Sequence, residues 1–151
     1  MRTTASLSWK RGEQAFVDCR YSRAHLARFD GGVSLPMSSS PDVVRVPLSD
    51  PHAVDPEEAF VASLSSCHLL WFLDLAAREG LVVDGYDDEA EGTLAAGADG
   101  RLRMTVVVLR PRVTFVRVAP SDEVLRRLHA AAHHECFLAN SVTAEVRVEP
   151  R

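Results

Sequence analysis

The chain has 151 residues, 46% of them hydrophobic, and a net charge of −4 at pH 7; that is the size of one ordinary domain able to bury a core. Mild acidity, scattered basic residues and no stretch alternating aromatic with Lys or Arg argue against a nucleic-acid partner. The amino terminus, MRTTASLSWKRG, has no apolar leader, so the expected compartment is a reducing cytoplasm, where three cysteines are no disulfide framework and any disulfide is transient.

In chain order, residues 3–21 alternate loosely and hold Leu7, Trp9, Phe16, Val17 and Tyr21 about a polar turn at Gly12, which predicts a β-hairpin or a bent edge strand. YSRAHLARFDGG ends in an Asp-Gly-Gly turn signal, and residues 33–39 resume as a short strand. Residues 40–55 carry prolines at 41, 47 and 51 with little period and read as a loop of functional length. Asp55 to Arg78, DPEEAFVASLSSCHLLWFLDLAAR, reads as a long central helix. Asp55 is a good N-cap, Pro56 suits the first turn, Glu57 and Glu58 face the positive end of the dipole, and Gly80 ends it. Its residues are apolar on nearly every side, which predicts a buried helix. Ser63, Ser65, Ser66, His68 and Asp74 interrupt the run and argue against a membrane span.

Residues 81–94 read as a strand broken by Gly85, and 101–118 as a long β-rich run bent at Pro111, the two pairing antiparallel. Ser121 caps a second helix, SDEVLRRLHAAAHHE, with Val124, Leu125, Leu128 and Ala132 on its apolar face. CFLANSV adds a helical turn, and residues 143–149 alternate as a final strand. The expected fold is α+β, a single domain over 1–151, with two antiparallel sheets or one highly curved sheet wrapped about the buried helix and the second helix.

Cys67 in mid-helix and Cys136 just after the second helix are the chemically loaded residues. A thiolate near a helix start or a cation is a usable nucleophile toward peroxides or disulfides. Taken one at a time, each reads more readily as small apolar filler. Cys19, in the amino-terminal segment, reads as structural. Cys67-His68 and His133-His134-Glu135-Cys136 hold metal-ligand types, but neighbours on a helix point about 100° apart, so packing or tuning of the thiol is expected and no metal or other cofactor.

These features resemble the OsmC/Ohr family of thiol peroxidases. An acidic residue, then Pro-Glu, then ten residues from that Glu to a cysteine is the family pattern, and Asp55-Pro56-Glu57 with Cys67 satisfies it. A cysteine just after the next helix followed by small polar residues is matched by Cys136 with Asn140-Ser141. The family's amino-terminal arginine falls on Arg23, with Arg28 and Arg45 as alternatives. The resemblance implies an OsmC-like intertwined homodimer that reduces organic hydroperoxides and is regenerated by an external dithiol. Cys67 would be the attacking thiolate and Cys136 the resolving thiol. Arg23 would orient the peroxide, held by Glu57. His68 after the attacking cysteine and the lack of proline after the second depart from common members. On one straight helix Glu57 and Cys67 stand about 15 Å apart along the axis, so the arginine or a partner chain must bridge them. A pocket of Leu64, Leu70, Trp71 and Phe137 beside Cys67 would favour organic hydroperoxides over hydrogen peroxide. The rival readings are a non-catalytic small-ligand-binding protein of this fold and a thiol/His metal-binding protein.

Overall fold

The computed structural model describes all of residues 1–151. The chain divides into two compact units, Met1–Ala59 and Phe60–Arg151.

The amino-terminal unit is an antiparallel three-stranded sheet, β1 (Ala5–Ser8), β2 (His25–Phe29) and β3 (Ser34–Met37), in the order β1-β2-β3. Gly32 takes φ +85 in the turn between β2 and β3, a conformation glycine adopts without steric cost. Residues 3–21 form no hairpin of their own, because β1 pairs with β2, Ala5 opposite Phe29. The intervening chain instead folds into an aromatic cluster, with Phe16 stacked on Tyr21 at 4.6 Å and Trp9 edge-on to Tyr21 at 5.4 Å. The proline-bearing segment that follows is pinned by fully buried Ser38: its N–H donates to Val54 O at 3.1 Å and its Oγ accepts from Asp50 N–H at 3.0 Å.

Helix α1 (Pro56–Arg78) starts in a capping box, in which Glu58 N–H donates to Asp55 Oδ1 at 2.7 Å and Asp55 N–H to Glu58 Oε2 at 3.0 Å. Two of the orphan donors of the first turn are thereby satisfied. It stops at Gly80, φ +74, where Leu81 N–H reaches Ala76 O and Gly80 N–H reaches Ala77 O, both at 3.0 Å. This left-handed cap is the reason the chain carries glycine there.

The carboxy-terminal unit packs α1 and α2 (Asp122–Glu135) with two small sheets. In one, β4 (Val83–Asp88) pairs antiparallel with β7 (Pro111–Phe115); in the other, β5 (Glu91–Ala96), β6 (Leu102–Leu109) and β8 (Glu145–Val148) lie in the order β5-β6-β8. Both expected strand runs are therefore split, and they do pair antiparallel, but in separate sheets. Asp88 marks the break: its Oδ1 accepts Arg110 N–H at 2.6 Å and its Oδ2 accepts Ser65 O–H at 2.5 Å. The β6–β8 pair is parallel, against the all-antiparallel expectation. The chain runs through β7, α2 and a 3-10 turn (Ala139–Ser141) before β8, which supplies the long crossover that a parallel pair needs.

By length and hydropathy alone, mean 1.5, α1 could cross a membrane, yet it carries the core of this unit. Only one stripe of it is fully buried, Leu64, His68, Phe72 and Ala76, at i, i+4, i+8 and i+12. Phe72 and Ala76 meet Leu128 and Ala132 of α2, and Leu64 meets Val107 and Leu109 of β6. The other apolar faces are half-buried or open within one chain, with Leu70 63% exposed.

Candidate active site

Both redox candidates lie in the carboxy-terminal unit, and the fold brings them together. Cys67 is half-buried in the middle of α1, Cys136 is buried, and neither is in a disulfide. Cys136 is the residue that closes α2, its N–H bonded to His133 O at 3.3 Å. The chain then turns tightly around the thiol. Asn140 N–H donates to Cys136 O at 3.0 Å, Asn140 Nδ2 to His134 O at 2.8 Å, and Ser141 Oγ to Phe137 O at 2.6 Å. These bonds satisfy carbonyls that a helix end leaves orphaned, so Asn140 and Ser141 hold the cysteine in place.

The Cys67 side chain lies close enough to Cys136 to act on its thiol, and Ala139 N–H points at Cys136 Sγ, 3.4 Å away. Burial pushes the Cys136 thiol up to about 11, with the nearby Cys67 adding to the rise and the Ala139 N–H opposing it. Cys136 is therefore a protonated thiol at neutral pH. An attacking sulfur beside a thiol kept in reserve is an arrangement suited to sulfenic acid formation and capture.

A cavity of ≈ 380 Å³ opens beside Cys67, lined by Leu70, Trp71, Asp74, Arg78 and Phe137. Trp71 and Phe137 meet edge to face, ring centroids 5.4 Å apart. Leu70, Trp71 and Phe137 stand where the sequence put them. Leu64 does not, because it lies on the buried stripe against β6. Asp74 and Arg78 were passed over, although their spacing of seven and eleven residues from Cys67 marks the same helical face.

Arg23 lies in the amino-terminal unit, its guanidinium 3.9 Å above the Tyr21 ring, with Nη1 donating to Cys19 O at 3.0 Å and to Tyr21 O. Glu57 is half-buried in the first turn of α1. The two are not ion-paired in this chain. Cys19, read as structural from sequence, is exposed, with φ 60.

His68 is a packing residue. Fully buried on the core stripe, it places Nε2 3.1 Å from His129 Nδ1, with the rings stacked at 5.4 Å. Burial lowers His68 to about 3, helped by the neighbouring His129 and His133, and lowers His129 to about 4, opposed by Asp88. Both are neutral at pH 7. The partner His129 was not singled out from sequence, where only its position beside Leu128 on α2 hinted at burial. No group of three or more His, Cys, Asp or Glu side chains is placed to hold a metal ion.

An α+β chain with two facing thiols beside an apolar cavity is the class that fold and site define. The family model for OsmC-like protein matches residues 49–151, and the chain belongs to that family. An OsmC-like protein of unknown function from Vibrio cholerae is 48% identical, with TM-score 0.97 over 100% of this chain and 99% of its own. Two more distant structures share the fold. The organic hydroperoxide resistance protein OsmC of Legionella pneumophila is 17% identical, TM-score 0.71, over 99% of this chain and 95% of that one. The organic hydroperoxide resistance protein OhrB of Bacillus subtilis is 16% identical, TM-score 0.70, over 100% and 98%. No curated protein matches the chain.

Proposed function

We propose that this protein is a cysteine-based peroxidase that reduces organic hydroperoxides, with Cys67 attacking and Cys136 resolving. The observation that carries this reading is the neighbouring pair of free thiols, one half-buried beside a largely apolar cavity and the other buried and held protonated. Cys67 thiolate attacks the terminal peroxide oxygen; the S–O bond forms, the O–O bond breaks, and the alkoxide leaves as an alcohol after taking a proton from water. Cys136 then attacks the Cys67 sulfenic acid, forming the disulfide and releasing water. An external dithiol returns both sulfurs to the thiol state. The protein itself needs no bound cofactor for these steps.

Arg23 and Glu57 complete the reading as the residues that orient the peroxide and hold the arginine. Only Nη1 of Arg23 is used by the Cys19 and Tyr21 carbonyls, so the rest of its N–H fork remains for a carboxylate and a peroxide oxygen. The working form is a cytoplasmic homodimer. Leu70 and Phe137, 63% and 62% exposed at the cavity, are the kind of apolar surface that a second copy covers. Apolar lining by Leu70, Trp71 and Phe137 favours bulky organic hydroperoxides over hydrogen peroxide.

The test is one equivalent of cumene hydroperoxide added to the reduced protein, with cysteine states mapped by mass spectrometry. A Cys67–Cys136 disulfide in the wild type and a Cys67 sulfenic acid in Cys136→Ser are expected. If both thiols stay reduced, the protein is no peroxidase and binding of a small apolar ligand takes its place.

A further inference from the structure

The cavity beside Cys67 is not apolar to its end. Cys67, Leu70, Trp71, Asp74 and Arg78 line it together, and their spacing along α1 is i, i+3, i+4, i+7 and i+11. Eleven residues make just over three whole turns, so Arg78 stands on the same face as the thiol, about 16 Å farther along the axis. Between them lie the faces of Leu70 and Trp71, with Phe137 across from Trp71. The track runs from a nucleophilic sulfur, over hydrocarbon, to a guanidinium.

Arg78 is aimed but not consumed. Its Nη2 lies 2.8 Å from Asp74 Oδ2, with side chains 69% and 44% exposed, and the alignment is not that of a hydrogen bond. This is the single ion pair that Arg78 makes. A guanidinium has five N–H donors and can serve two carboxylates at once. Asp74 thus keeps the side chain along the helix face while leaving donors free for a second anion.

We propose that Arg78 is a specificity-determining residue that selects hydroperoxides carrying an anionic group at the end remote from the O–O bond. Arg78 side-chain atoms lean back toward the helix N-terminus, so the aliphatic spacer between peroxide and anion is on the order of 10 Å. The inference rests on the peroxidase reading and deepens it by naming the shape and charge order of the substrate. Arg78 takes no part in bond making; the alcohol leaves with its anionic group intact.

The test is steady-state turnover of ω-hydroperoxydodecanoate, its methyl ester, and the short pair ω-hydroperoxybutanoate and its ester. The long acid is expected to show a KM roughly three- to fivefold below that of its ester, as suits an ionic contact near the surface, and the advantage shrinks as salt is raised. The short acid, whose anion cannot reach Arg78, shows none. In Arg78→Gln the ratio of the two long-chain KM values falls to about one, Arg78→Lys restores part of it, and Asp74→Asn widens it by removing the competing carboxylate. ω-Hydroperoxydodecyl phosphate separates a phosphate monoester from a carboxylate as the preferred head group. Equal KM values for long acid and ester, or a preference that survives Arg78→Gln, overturns the inference while leaving the peroxidase reading standing. If none of these hydroperoxides oxidises Cys67, both fall together.

Discussion

Two pairs of like side chains join α1 to the α2 region. Cys67 meets Cys136, and its neighbour His68 meets His129. On α1 the partners are adjacent residues, turned about 100° from each other; on the other side they are separated by the two turns from His129 to the end of α2. That rotation decides their chemistry. The cysteine side opens on a cavity of ≈ 380 Å³, where a reagent can reach sulfur. On the histidine side His68 is 0% exposed, and His129, though it lines a smaller cavity of ≈ 250 Å³ with Arg126 and His133, is only 4% exposed. Imidazole is ordinarily the more versatile acid and base near neutral pH, yet here burial keeps both rings uncharged and leaves the reactivity to sulfur. Position on a helix face, more than residue type, separates the candidate site from the core.

The sharpest way to break this comparison is at Cys67. Removing an essential nucleophile costs on the order of a thousandfold or more in turnover, so Cys67→Ser should abolish hydroperoxide consumption in a coupled dithiol assay. Its thermal midpoint should hold nearly constant, because the exchange is almost isosteric and the site is half-open. Cys136→Ser should be milder. Consumption is expected to drop roughly a hundredfold in the first cycles, with sulfenic acid at Cys67 trapped by dimedone, and overoxidation should follow at high peroxide. Equal loss in both variants with no trapped sulfenic acid would mean that the thiols do not divide the work.

The histidine pair should respond to acid and not to peroxide. Both folded values lie below the ordinary 6.5, at about 3 and about 4. Above pH 6.5 neither the folded nor the unfolded chain carries these charges, and the pair adds no slope. Below it the unfolded chain takes up protons that the folded chain refuses, so stability falls by about 1.4 kcal/mol per pH unit for each ring until the folded values are reached. Urea unfolding at several pH values from neutral down to about 4.5 should show this fall, and the double variant His68→Leu with His129→Leu should flatten it. A slope unchanged in the double variant would place the acid sensitivity in the carboxylates instead.

Much of this arrangement was legible in the sequence, and the missing parts share a cause. The limits of α1 followed from Asp55, Pro56 and Gly80, whose conformational demands are local and readable one residue at a time. Ser121 likewise announced α2, and its Oγ accepts Val124 N–H at 3.4 Å. The facing of Cys67 and Cys136 came only through family resemblance, since no spacing rule brings residues that far apart in sequence to one point. The parallel β6–β8 pairing was not foreseen, because alternation along a strand names neither its partner nor its direction. His129 and Arg78 were missed for opposite reasons. His129 acquires meaning only from a partner on another helix. Arg78 was visible as the last-turn cation of α1, and that structural role hid its place on the face of Cys67.

The smallest expected effect tests how far the thiol pair depends on its setting. Asn140 is exposed, and its Nδ2 holds His134 O at 2.8 Å, across the turn that carries Cys136. Asn140→Ala removes one such bond and should lower stability by about 1 kcal/mol. The backbone bond from Asn140 N–H to Cys136 O remains, so the turn should loosen without melting. A looser turn lets Cys136 drift from Cys67 and from Ala139 N–H, and water gains access to a sulfur that burial holds protonated. Alkylation of Cys136 by iodoacetamide should therefore speed up severalfold, while the first oxidation of Cys67 keeps its rate and disulfide closure slows. The His68–His129 pair, anchored earlier on α2, should keep its acid response. If Asn140→Ala changes that response as much as it changes disulfide closure, the two pairs are one cooperative unit and the division drawn between them does not hold.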